Sequence, residues 1–169
     1  EPAYSSYRDA VGAAGGRAAG ARGFDGAKAA LADRTDAAVW LGAPNNPDGT
    51  LPEGYPDSVA DLAAAYPAAA FVVDESFIDF ADGVDPAQSL SALSALDNVT
   101  VLRSMTKFWC VPGLRVGYAV CSEKLARALS DTMPNWPLNS VAQAFAELAF
   151  ADKDAGGRRD RTRALVSSE

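Results

Sequence analysis

The sequence contains no histidine. That removes Ser-His-Asp and Cys-His nucleophile systems and most zinc sites. Acid–base work in any enzyme built from this chain falls to Lys, Asp, Glu, Tyr or a cofactor. Cysteine is scarce. Cys110 and Cys121 fit no metal or redox spacing, so they read as reduced core residues of a cytoplasmic protein, with no metal site. No apolar run reaches bilayer length, and the N-terminus lacks the charged start and apolar stretch of a secretion signal, so no membrane role is expected. Basic residues are outnumbered, 15 Lys and Arg against 22 Asp and Glu, for a net charge of −7. The one basic cluster, Arg158 to Arg163, is interrupted by Asp160. It reads as a solvated helix face, and no nucleic-acid partner is expected.

What is present is enough for one domain with a real core: 169 residues, 49% of them apolar. The chain opens on Glu1 rather than methionine, which suggests a processed form or a piece of something longer. Four short apolar runs read as buried strands: Ala37 to Ala43, Ala70 to Val73, Asn98 to Leu102 and Val116 to Cys121. Helical patterns fall between and after them, at Glu53 to Tyr66, Ala87 to Ala95, Glu123 to Thr132 and Ser140 to Ala151. Asn139 or Ser140 can cap the last. Val11 to Gly23, rich in Gly and Ala, follows no convincing strand and reads as a flexible turn region rather than a nucleotide-binding loop. Strands alternating with helices imply crossover connections and a mainly parallel sheet. Such sheets carry function at the carboxyl ends of their strands. Asn45-Asn46, Asp74-Glu75 and Ser104 to Lys107 all lie just past such ends.

Each of these groups has two readings. In APNNPDGT, Pro-Asp-Gly makes a turn, yet Pro47 also extends Asn46 and frees its amide to meet a ligand oxygen. In VVDESFIDF, Asp74 is either a cap or salt-bridge partner, or the counter-ion of a cationic ring nitrogen. Glu75 and Asp79 read as peripheral. In SMTKFWCVPGLR, Lys107 is either a surface lysine or an amine nucleophile. Desolvation by Phe108 and Trp109 would lower its pKa. Ser104 and Thr106 can donate to an anion, and Arg115 can clamp it. Taken together, the amine, carboxylate, amide, hydroxyls and guanidinium match what pyridoxal phosphate requires.

These motifs, APNNPDG, VVDESFIDF and SMTKFWCVPGLRVGY, resemble those of the fold-type-I pyridoxal-phosphate enzymes of the class I/II aminotransferase family, in the same order and spacing. The resemblance runs over essentially the whole chain and is strongest from Leu41 to Tyr118. It implies an α/β fold: the three-layer α/β/α large domain of that family, incomplete at both ends. Residues 1–152 would be the partial cofactor-binding domain, and 153–169 the start of a connection towards a small domain. It implies that Lys107 forms the imine with pyridoxal 5'-phosphate, that Asp74 keeps the pyridine nitrogen protonated and that Asn46 bonds the phenolic oxygen. Ser104 and Arg115 would bind the phosphate, with Thr106 a weaker contributor. Tyr4, in Pro2-Ala3-Tyr4, would stack on the ring. A homodimer with active sites at its interface is the family's usual assembly.

Two departures from the family pattern bear on function. Phe77 stands where many members have a tyrosine whose hydroxyl reaches the phenolic oxygen. With TKF and VPGLRVGY, this setting is most similar to threonine-phosphate decarboxylases of cobalamin biosynthesis, and next to histidinol-phosphate aminotransferases. A phosphorylated amino acid or amine is the expected substrate. The chain is also about half the usual family length. The upstream glycine-rich phosphate cradle and the downstream carboxylate-binding arginine are expected to lie outside it. A catalytically incomplete, non-enzymatic fragment is therefore the competing expectation. A nicotinamide-binding domain would need a glycine fingerprint that is not evident.

Overall fold

The computed structural model describes residues 3–32, 34 and 36–168. In chain order its elements are α1 (Ser5–Ala13), α2 (Gly23–Leu31), β1 (Ala38–Gly42), α3 (Asp57–Ala65), β2 (Ala70–Asp74), α4 (Pro86–Ser94), β3 (Val99–Ser104), α5 (Met105–Phe108), β4 (Gly117–Val120), α6 (Glu123–Thr132), α7 (Ser140–Phe150) and α8 (Ala155–Val166). Two single 3₁₀ turns, Ile78–Phe80 and Pro112–Leu114, complete them. All four expected strands form, in the order β1-β2-β3-β4. The first three are parallel and β4 is antiparallel. The reason lies in the connections. Helices α3 and α4 carry the chain back across the sheet, whereas the link from β3 to β4 holds only the four-residue α5 and a 3₁₀ turn, with no helix long enough to span the sheet.

The register sets where chemistry can happen. Gly42 pairs with Asp74, and Asp74 with Leu102, so β1 and β2 end level and β3 runs two residues further, to Ser104, with all three carboxyl ends along one edge. At the other side of that edge, β4 approaches β3 closely. A Cβ on Gly117 would stand 2.6 Å from the Arg103 carbonyl oxygen, so only glycine fits there.

Period-2 burial on β2 turns Phe71 and Val73 fully inward, where they meet Val99 and Val101 of β3. Against them pack Ala27 and Leu31 of α2, Val59, Leu62 and Ala63 of α3, and Leu93 of α4. Each large side chain buried there contributes about 1.5–3 kcal/mol. A second, smaller cluster gathers Met105, Val116 and Ala142 with Trp109, Tyr118 and Phe145.

Several expectations need adjustment. The helix expected from Glu53 begins only at Asp57: Gly54 has a φ of +68°, and Pro56 disfavours helical backbone at Tyr55. Two helices, α1 and α2, flank the expected turn region, leaving residues 14–22 irregular. Asn139, not Ser140, caps α7, accepting the Ala142 N–H at 2.9 Å. Cys110 is exposed, with a φ of +53°, and Cys121 is half-buried, so neither is a core residue. The basic cluster on α8 is not simply solvated. Arg159 pairs with Asp79 at 3.0 Å, Arg163 donates to the carbonyls of Ile78, Asp79 and Val84, and Arg158 lies 5.1 Å over the Trp109 ring. Asp79 is correspondingly half-buried rather than peripheral.

Glu75 is the largest correction. It is 1% exposed and sits among the Tyr55 hydroxyl, the Ser89 hydroxyl and the Arg103 guanidinium, all three donating to it. Arg103 also donates to the Pro86 carbonyl at 2.7 Å. A carboxylate so buried is stable only because every oxygen is met. Glu75→Ala is expected to destabilise the chain by about 3–5 kcal/mol, because it strands a buried guanidinium. The denaturant midpoint reads this, and a loss below about 1 kcal/mol would contradict it.

Two phenols border this cluster, and both ionise above the ordinary tyrosine range. Burial is the main cause for each; the Glu75 charge adds to it at Tyr55, and Arg103 opposes it at Tyr118. Unfolded tyrosines titrate near about 10. Because the folded-state values are raised, these phenols' contribution is intact below that pH and is lost as pH rises through the folded range. In an absorbance titration of the five tyrosines, Tyr7, Tyr55 and Tyr118 should ionise late, concurrently with unfolding. Simultaneous ionisation of all five in the folded chain would refute this.

Candidate functional site

The carboxyl ends of these strands bring three loops together. They surround a cleft of about 230 Å³. Lys107, Asp74, Asn46, Ser104, Thr106, Arg115, Phe77 and Tyr4, the residues singled out from the sequence, all line it, together with Tyr7, Pro44 and Ser76. Pro2 lies outside the described residues.

Asp74 is the last residue of β2, and its half-buried carboxylate is held at both oxygens. Oδ1 accepts the Ser76 backbone N–H at 2.9 Å, and Oδ2 accepts the Tyr7 hydroxyl at 2.8 Å. Its neighbour Glu75 points to the opposite face, as strand alternation requires. Two adjacent acids therefore serve different ends, one in the cleft and one in the core.

Lys107 lies on α5, a single turn that starts directly at the end of β3. Ser104 caps this turn, its Oγ accepting the Thr106 N–H at 3.3 Å. Helical spacing turns Met105, Thr106 and Phe108 inward and leaves Lys107 exposed on the cleft. The flanking aromatics do not enclose the lysine. Phe108 packs on Phe80 at 5.9 Å and Trp109 on Phe145 at 6.0 Å, both on the inner side. The ring that does meet Lys107 is Phe77, with Nζ 5.7 Å from its centroid, within cation–π range.

The hydroxyls of Ser104 and Thr106 are 2.9 Å apart on the same wall. Arg115 follows the Pro112–Leu114 turn in left-handed backbone, φ +51°, and its Nη1 donates to the Pro112 carbonyl at 3.1 Å. The exposed Arg115 side chain lines the cleft along with Lys107. Two hydroxyls and a guanidinium thus line the same cleft, groups whose chemistry can accommodate an anion. Across the cleft, the APNNPDGT loop makes the expected turn. Asp48 closes the turn, accepting from Asn45 Nδ2 at 2.8 Å and from the Thr50 N–H at 3.1 Å. Asn46 meanwhile lines the cleft, half-buried. The Asp48 carboxyl is held below the usual carboxylate range, chiefly by the Thr50 N–H and then by the Asn45 and Thr50 side chains.

Tyr7 is the site residue that sequence reasoning missed. It stands one helical turn after Tyr4 on α1, the two rings edge to face at 5.6 Å. Recognising α1 would have put both on one face. The segment Ser5–Ala13 hides this because it buries no residue fully and lacks an apolar stripe.

Comparison with known proteins gives the family and the fold. Residues 1–165 match the family model described as aminotransferase class I and II. The chain is 36% identical over 132 residues to a histidinol-phosphate aminotransferase of Limosilactobacillus fermentum, an alignment covering 78% of this chain and 36% of that enzyme. It is 38% identical over 119 residues to the threonine-phosphate decarboxylase of Salmonella typhimurium, covering 68% of this chain and 31% of that one. The chain thus spans about a third of these relatives' length. Among solved structures, the histidinol-phosphate aminotransferase of Sinorhizobium meliloti, in complex with pyridoxal-5'-phosphate, superposes with a TM-score of 0.77 at 25% identity, over 93% of this chain and 44% of that one. The fold is that of the fold-type-I enzymes, and the chain belongs to the class I and II aminotransferase family.

Proposed function

We propose that this chain carries the cofactor-holding core of a pyridoxal-phosphate-dependent enzyme acting on a phosphorylated amino acid or amine. The observation that carries this reading is the convergence of Lys107 and Asp74 on one cleft whose remaining wall offers Ser104, Thr106 and Arg115. The donor set fits the cofactor group by group. Asp74 would face the cationic ring nitrogen, and the Asn46 amide the phenolic oxygen. The two hydroxyls and Arg115 would take the phosphate, and the Tyr4 ring a face of the pyridine. When bound, the cofactor supplies an electrophilic carbon and a cationic ring that draws electrons from bonds at the substrate's α-carbon.

The rest is work for side chains of this chain. Asp74, fixed at both oxygens, would lie against the ring nitrogen and favour its protonated form. Lys107 is the nucleophilic amine and afterwards the proton carrier: its Nζ either returns a proton to the α-carbon or removes one from it. Phe77 donates no hydrogen bond and instead offers its ring face to the Lys107 ammonium. The Tyr-to-Phe departure in this setting favours decarboxylation of a threonine phosphate. A second reading, transamination of histidinol phosphate, draws support from the match to the Limosilactobacillus enzyme, which covers more of this chain than the Salmonella match does. The reading includes a homodimer in the cytoplasm, with residues 1–152 as the cofactor domain and 153–169 leading away from it. A catalytically incomplete piece of such an enzyme remains compatible with a chain spanning about a third of its relatives.

Pyridoxal phosphate added to the purified chain should produce a visible absorbance band that Lys107→Ala abolishes; no band, or one indifferent to that substitution, would sink the proposal. In a protein of the relatives' full length that contains this segment, carbon dioxide release from threonine phosphate separates the decarboxylase from an aminotransferase that yields a carbonyl product from histidinol phosphate.

A further inference from the structure

The Tyr7 hydroxyl has an unusual position for a residue of a helix that buries none of its residues fully. Its ring packs against Trp40 of β1 at 5.5 Å and against Tyr4 at 5.6 Å, and its hydroxyl donates to Asp74 Oδ2. This contact spans 67 positions of sequence and joins the first helix to the end of the second strand. Burial first, and then the Asp74 carboxylate, push the phenol far above the ordinary tyrosine range, so it remains a proton donor at any working pH. The other ionisable groups on the cleft are Tyr4, Lys107 and Arg115.

Resting on the cofactor reading above, we infer that Tyr7 is a positioning residue: its hydroxyl fixes the Asp74 carboxylate in orientation, aimed at a cationic ring nitrogen. Each carboxylate oxygen has two acceptor sites. Ser76 occupies one on Oδ1 and Tyr7 one on Oδ2, which leaves one on each for a ligand. A donor to the anion stabilises it relative to the neutral acid. A proton shared between Asp74 and a ring nitrogen then stays on the nitrogen, and the ring keeps its positive charge. The same contact anchors the turn that presents Tyr4, so one hydroxyl serves both the edge of the bound ring and its face.

The test uses the 169-residue chain and pyridoxal 5'-phosphate, following the visible band. Tyr7→Phe keeps the aromatic packing and removes only the donor. The affinity for pyridoxal phosphate should fall about tenfold, as for loss of a hydrogen bond to a charged group. The pH midpoint of the band should move upward, because the nitrogen joined to Lys107 loses its proton less readily when the ring beside it carries less positive charge. A merely structural tyrosine would shift the melting temperature and leave the midpoint alone. If the phenylalanine variant melts early, 3-fluorotyrosine at position 7 keeps ring and hydroxyl but donates more strongly, and the midpoint should move downward. A band that Lys107→Ala abolishes, with affinity and midpoint unmoved by either change at position 7, would overturn this inference alone; no band in the unaltered chain would overturn the cofactor reading along with it.

Discussion

Glu75 and Arg103 form a buried ion pair immediately behind the cleft, and the geometry in front of it depends on that pair. Glu75 follows the last residue of β2, and Arg103 is the second-last residue of β3. Their pairing, with the Tyr55 and Ser89 hydroxyls filling the remaining carboxylate valence, ties together the ends of two adjacent strands and the start of α4. Breaking such a pair leaves an uncompensated buried charge, so the strand ends cannot drift independently. Asp74 on β2 and Ser104 at the end of β3 are therefore held at a fixed separation. Everything proposed for the cleft presupposes that separation, because a planar ring bridges its partners only when they keep station to within about half an ångström.

The wall around Lys107 is supported from deeper in the molecule. Phe77, under the ammonium, is the first ring of a series through Phe80, Phe108 and Trp109 to Phe145 of α7. Helix α8 closes the same region from outside: Arg159 and Arg163 grip Asp79 and the carbonyls of the loop that follows Phe77. Aromatic edges and a guanidinium clamp make this loop a stiff platform. The exposed side of α5 can then present an amine to the cleft while its neighbours remain in the core. Phe108 and Trp109 thus serve the lysine by anchoring its helical turn, not by desolvating it.

Much of this could be read before any fold was known. The four strands are short runs of β-formers bounded by turn residues, a local pattern with little ambiguity. The polar groups just past three of them followed from the parallel-sheet rule. The misreadings share a physical origin. Glu75 looked peripheral because an acid beside another acid carries no local mark of burial; its partners Tyr55, Ser89 and Arg103 lie 14 to 28 residues away. Tyr7 carries no local mark either, because its partner is 67 residues distant and its helix has no apolar stripe. The α8 cluster reads as solvated because the acceptors of Arg159 and Arg163, the Asp79 carboxylate and the carbonyls of Ile78, Asp79 and Val84, lie 79 to 85 residues away.

The sequence by itself determined the chemical inventory: no histidine, a lysine framed by hydroxyls and an arginine, an aspartate closing an apolar strand, and an asparagine before a proline. It also determined the strands, because hydrophobic alternation and turn residues act within a few positions. Only the tertiary structure decided which acid faces the cleft and which the core, which aromatic ring the lysine meets, and which tyrosine holds the aspartate. Those outcomes follow from strand register and from desolvation, which depend on partners distant in the chain and leave no trace in any local stretch of it.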